Sequence, residues 1–143
     1  MLLKSPKNHL GTWPGLIIPV VFVLLLAVPF LSGCNNQAAV APDYEMLAWE
    51  FLDEFNDNPV EFETKYKDSW ISIIGQIITI GEVNEVPILD IGSRDDIYSI
   101  YAFFETNSSK LKGLSEDEIV RVVGKYTGQG FYNLQLHDCY LIE

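Results

Sequence analysis

The sequence predicts a mainly β (α+β) fold, a five-stranded barrel preceded by one or two N-terminal helices, in a chain of 143 residues. Three observations lead there. Between Asp43 and Lys67 apolar residues recur at helical spacing. From Trp70 onward, five runs rich in β-branched and aromatic residues alternate with turn-forming Gly, Asn and Asp. The first of these runs is long, apolar on both faces and interrupted by Gly75, as a sharply coiled barrel strand requires. The length is that of a single small domain.

At the N-terminus, residues 1–15 carry Lys4, Lys7 and His9 and no acid, and residues 16–31 form an uncharged apolar run. That is the layout of a secretory signal. The run falls short of the roughly 20 residues that a spanning helix needs and contains Pro19 and Pro29, so cleavage is expected rather than a permanent span. Leu31-Ser32-Gly33-Cys34 resembles the lipobox of bacterial lipoproteins at all four positions. The resemblance implies that Cys34 becomes the first residue, carrying a diacylglyceryl thioether and an acylated, palmitate-type amino group. Two such chains suffice to hold a protein on a membrane surface without spanning it. Asn35, rather than Asp, implies by similarity to sorting rules in two-membrane bacteria that the outer membrane is open to it. The expected location is therefore the cell membrane or outer membrane, facing periplasm or exterior. Residues 1–33 are read as the signal, 34–42 as lipidated cysteine and flexible tether, and 43–143 as helix plus barrel.

Asp43 is the expected N-cap of a first helix whose inward face is Tyr44, Leu47, Ala48, Phe51, Leu52 and Phe55, with Glu45, Glu50, Asp53, Glu54 and Asp57 opposite. A shorter helix is expected from Pro59, at the first helical position, to about Lys67, turning Phe62 and Tyr66 inward. The five strands are expected at residues 70–80, 86–91, 97–104, 119–126 and 131–142. Between the third and fourth, the polar residues 105–114 have room for one helical turn. In the last strand the apolar alternation breaks between Leu136 and Cys139, which predicts a bulge at His137-Asp138.

Five strands with a gap after the third match an OB-fold, a partly open Greek-key barrel. The residues also resemble a known family. Asn58, Tyr66-Lys67, Ile73-Ile74-Gly75-Gln76-Ile77, the run from Ile119 to Val123-Gly124-Lys125, and Leu134 to His137-Asp138-Cys139 are similar to the tRNA_anti-like OB-fold family of small exported bacterial proteins. The resemblance covers residues 44–142 and implies an OB fold more than an activity. The chain departs from the family pattern in its Pro59-Val60-Glu61-Phe62 stretch and in its polar 105–114 segment.

An OB-fold presents its ligand face on its second and third strands, rimmed by the loops that join strands one to two and four to five. Here that face is Ile88, Asp90, Ser99, Tyr101 and Phe103, with 81–85 and 127–130 as rim. Asp90, Ser99, Tyr101 and Phe103 are the candidate ligand residues. Ile100, Ala102 and Phe104 point the other way, to the core. Paired aromatics on an open face stack a sugar or accept a peptide; the alternative is that the N-terminal helix covers them.

Other chemistry is sparse. His137, Asp138 and Cys139 are metal-capable types, but a closed zinc site needs four ligands, and no metal or other cofactor is expected. Asp95-Asp96 and Glu116-Asp117-Glu118 lack the glycine-hinged alternation of a calcium loop and read as solvated turns. No nucleophile with a partnered base and no phosphate loop is visible, so catalytic residues are not expected and the protein is read as a non-enzyme. The net charge is −11, and residues 34–143 hold all twenty acids against seven bases, a net −13. Such a domain repels phosphate backbones. The expected function is that of an exported, membrane-anchored lipoprotein whose OB domain is a non-catalytic binding or envelope-interaction module, taking an envelope protein or glycan. The alternative is a nucleic-acid-binding OB protein, which the charge disfavours.

Overall fold

The structure is a computed structural model that describes residues 39–143. The signal, Cys34 and the start of the tether lie outside the described residues. Six strands, two α-helices and one 3-10 turn follow in the order β1 (Tyr44–Leu47), α1 (Ala48–Asp57), α2 (Pro59–Tyr66), β2 (Trp70–Val83), β3 (Val86–Ile91), β4 (Ser99–Phe103), the turn at Ser108–Leu111, β5 (Ile119–Gln129) and β6 (Asn133–Ile142). β2 to β6 close into a barrel in the order β2-β3-β4-β6-β5, with β5 returning to β2. β4 and β6 run parallel and the other barrel pairs run antiparallel. This is the OB-like barrel expected.

β1 is the element that the periodicity misplaced. Residues 44–47 are not the first turn of a helix but a strand parallel to β2, pairing Tyr44 with Ile71 and Leu47 with Ile74. The ambiguity is physical, because inward residues at 44 and 46 satisfy a period of two while 44, 47, 48 and 51 satisfy a helical one. The long β2 settles it by offering an edge for pairing. Asp43 accordingly does not cap a helix: its backbone N–H donates to the Trp70 carbonyl and its carboxylate accepts from the Trp70 N–H, at 2.7 and 2.9 Å. The helix starts instead after extended Leu47, whose N–H donates to the Glu50 carboxylate at 2.9 Å.

The expected apolar stripe Ala48, Phe51, Leu52 and Phe55 is buried. Asn58 ends α1 and caps α2, accepting the Glu61 N–H at 3.2 Å, with Pro59 as the first residue of the new helix. Together the helices plug one end of the barrel with a cluster of mutually tilted rings: Phe51 lies 4.7 Å from Phe62 and 5.6 Å from Tyr126, and Phe62 lies 4.7 Å from Tyr66. Edge-to-face packing of this kind adds to the stabilisation from area burial alone. Ile71, Ile73, Ile77, Leu89, Ile91, Ile100, Ala102, Leu134 and Leu136 fill the barrel above them.

Gly75 serves close approach. A Cβ there would stand 2.6 Å from the Ala48 Cβ and 2.6 Å from the Ile91 methyl. The bulge of β2 lies beyond it, where Ile77 pairs with Ile91 and Thr79 with Asp90. The predicted bulge in β6 is present: Asp138 has φ +53°, and the register with β5 shifts between Tyr140 and His137.

Candidate functional site

The outer surface of β3, β4 and β6 is built by strand alternation and register. Asp90 on β3 pairs with Tyr101 on β4, which pairs with Gln135 on β6. One step along the strands Ile88 pairs with Phe103, and one step the other way Ser99 pairs with Asn133. The result is a polar row, Asp90-Tyr101-Gln135, beside an apolar row, Ile88-Phe103-His137. Ile100, Ala102 and Phe104 are fully buried on the core side, as the alternation predicts.

The four candidate residues therefore lie on one surface. Tyr101 and Ser99 are half-buried, whereas Phe103 is only 7% exposed. Its cover is not the N-terminal helix. The His137 imidazole lies parallel to the Phe103 ring with centroids 4.3 Å apart, and Tyr101 flanks it at 6.5 Å. The apolar side chains of α1 pack into the barrel end instead. His137 is positioned by Glu105, which takes the ring Nδ1 at 2.6 Å with one carboxylate oxygen and the Asp138 N–H at 2.9 Å with the other. Glu105 thus holds the bulge and the stacked imidazole together. Sequence reading missed both residues as parts of this surface, and the signal that was there is the bulge: it turns His137 outward and Cys139 inward.

That separation disposes of the His137-Asp138-Cys139 run as a ligand set. Cys139 is buried, its thiol donates to the Leu136 carbonyl at 3.3 Å, and burial pushes its pKa far up. Its Sγ occupies the space that a side chain on Gly124 would need. Among the described residues no group of three or more His, Cys, Asp or Glu is arranged around a common cation position.

Asp90 is the electrostatically uncomfortable member of the surface. Its Oδ1 is buried without a hydrogen-bond partner. Burial raises its pKa above the ordinary carboxylate value, with the Ser99 hydroxyl acting in the opposite sense. Asp90 Oδ1 and the Phe103 ring are themselves buried, so the accessible part of the surface is the half-buried Tyr101, Gln135 and His137: this arrangement suits a ligand with a flat face and hydrogen-bonding groups beside it.

The bases are mostly spoken for. Lys65 pairs with Glu54, Arg94 with Glu116 and Asp117, Lys110 with Glu143, Arg121 with Glu45 and Lys125 with Asp68, at separations up to 4.0 Å. Lys67 donates to the Thr127 carbonyl. No basic stripe runs along the face.

A family model described as tRNA_anti-like matches residues 13–140. Among solved structures, the chain is similar to a candidate nucleic acid-binding lipoprotein from Klebsiella pneumoniae, at 18% identity over 78% of this chain and 98% of that one, with a TM-score of 0.58. It is also similar to the Stn1-Ten1 complex of S. pombe, at 18% identity over 52% of this chain and 58% of that one, with a TM-score of 0.38. At these identities the likeness is one of fold. No curated relative matches the chain.

Proposed function

The chain belongs to the tRNA_anti-like family, and from that membership we propose that it is a lipid-anchored, non-catalytic binding module of the bacterial envelope whose ligand surface is the outer face of β3, β4 and β6. The observation that carries this reading is the pairing of a stacked aromatic row, half-buried His137 over Phe103, with the half-buried polar groups of Tyr101 and Gln135. Aromatic stacking beside polar groups is the chemistry of glycan and peptide recognition. Against catalysis, Cys139 is buried and protonated, and His137 is held between Phe103 and Glu105 with no nucleophile beside it.

The anchor rests on Leu31-Ser32-Gly33-Cys34, and the description of the Klebsiella protein as a lipoprotein supports it. Replacing Cys34 by Ser removes the thiol on which the thioether forms. Acyl labelling and membrane retention are expected to disappear together, and labelling equal to that of the native protein rejects the anchor. For the ligand surface, a photo-crosslinking amino acid placed at Tyr101 is expected to capture an envelope protein or glycan in living cells, while the same group at exposed Thr64 on α2 captures nothing in common with it. Identical adducts at the two positions defeat the assignment of the face.

A second reading, nucleic-acid binding, is favoured by the description of the Klebsiella protein and by the half-buried Tyr101 on the OB face. The charge distribution, a net −13 over residues 34–143, opposes it.

A further inference from the structure

A second concavity lies away from the β3-β4-β6 face. Three apolar side chains that the core does not use, Leu47, Trp49 and Ile119, are 38%, 57% and 64% exposed and converge on one crevice of about 320 Å³. Its floor is Ile74, Gly75 and Gln76, the point at which β2 exchanges one edge partner for another: the last pair with β1 is Leu47 with Ile74, and the first with β3 is Ile77 with Ile91. The start of α1 and the loop after β3, with Ser93 and Asp96, form the walls. Exposed apolar groups scattered singly need no explanation; three gathered on a concave floor do.

Two further observations say what fits there. The rim is acidic, with Asp96 lining the crevice and Asp117 beside it, since the Gln76 amide donates to the Asp117 carbonyl and carboxylate at 3.3 and 3.4 Å. The nearby cation, Arg94, is already engaged by Glu116 and Asp117. In addition, β1 pairs with β2 along one edge, and among the described residues its other edge has no strand partner. An apolar crevice alone would suit an acyl chain. A free strand edge and a carboxylate rim are of use to a polypeptide, through backbone hydrogen bonds and through Lys or Arg side chains.

We propose that the crevice and the free edge of β1 form a docking site for an extended, basic polypeptide segment, which pairs alongside β1, continues past its end into the crevice to seat one aliphatic or aromatic side chain against Trp49 and Ile119, and sets a cation against Asp96. Trp49 contributes a face for an arriving cation as well as apolar area.

The test uses the full chain held in zwitterionic lipid nanodiscs, with two synthetic peptides as probes: one alternating Lys with Val around a central Leu, and its counterpart with Glu in place of every Lys. The basic peptide is expected to bind and to perturb Trp49 fluorescence, assigned by its loss in Trp49→Phe. Affinity should fall at least tenfold in Ile119→Lys, about threefold in Asp96→Asn, and not at all in Thr64→Ala. Both Ile119 and Trp49 are exposed, so these variants keep the core intact. Equal binding of the acidic peptide overturns the proposal. So does undiminished binding by Ile119→Lys, or uptake of a neutral alkyl amphiphile such as dodecyl maltoside at Trp49 with no binding of the basic peptide.

Discussion

Gly75 and Asp90 are two residues whose substitution separates close packing from electrostatics. At Gly75 the absent side chain is what lets Ala48 at the start of α1 reach β2, with a Cβ position 2.6 Å from two neighbouring carbon atoms. Gly75→Val must displace both Ala48 and Ile91, and overpacking of this sort costs about 1–3 kcal/mol. A melting temperature unchanged from the native protein would contradict the contact. At Asp90 the folded-state pKa lies above the ordinary value of 3.8, because burial disfavours the charged form. The fold therefore binds that proton more tightly than the unfolded chain does, so the associated stabilisation is present below the ordinary carboxylate pKa and is lost as pH rises through the folded-state value. Asp90→Asn, neutral at every pH, should melt higher than the native protein at pH 7, and the gain should vanish near pH 3. A gain of equal size at both pH values would show that charge burial is not its source. Both residues were legible in the sequence as special, but for incomplete reasons: Gly75 was read as the bend or bulge of a coiled strand, whereas it serves a close approach and the bulge lies at Ile77–Thr79, and alternation places Asp90 on the outer face without revealing how far its neighbours bury it.

At the scale of elements, the helical plug was legible and the strand in front of it was not. Ala48, Phe51, Leu52 and Phe55 fit a helix of period 3.6 and no strand, whereas Tyr44 to Leu47 fit both, and only the presence of an open edge on β2 decides between them. The same limit explains the β6 bulge, which was visible as broken alternation, and the Glu105-His137 pair, which was not, because it joins residues 32 positions apart. The plug carries the larger energetic consequence. Phe62 is buried against Phe51, Phe55, Tyr66 and Tyr126, so it ties both helices to β5. Phe62→Ala removes the ring at the centre of that cluster and should cost about 3–5 kcal/mol in chemical denaturation, the range for large buried aromatics. Loss of less than about 1 kcal/mol would mean that the helices are not structurally coupled to the barrel.

For the whole molecule, charge is the ground on which the proposal ranks the two ligand classes that the OB barrel invites. Residues 34–143 carry a net −13, and five of their seven bases are paired with carboxylates while a sixth, Lys67, donates to a backbone carbonyl. A nucleic acid would have to break those pairs to obtain phosphate contacts, and phosphate neutralisation supplies essentially all non-specific affinity. Stacking on Tyr101 offers about 1–3 kcal/mol per base. The Phe103 ring, however, is already covered by His137, so the platform accepts one base before the imidazole must move. Repulsion over the approach is only partly screened at about 0.15 M salt, where the Debye length is roughly 8 Å. For the full chain in zwitterionic nanodiscs, fluorescence anisotropy with labelled single-stranded RNA and DNA is therefore expected to show no binding at that salt concentration. Micromolar or tighter affinity that weakens steeply as salt is added would reverse the order of the two readings, since such a slope counts phosphates neutralised by cations that the carboxylates had released.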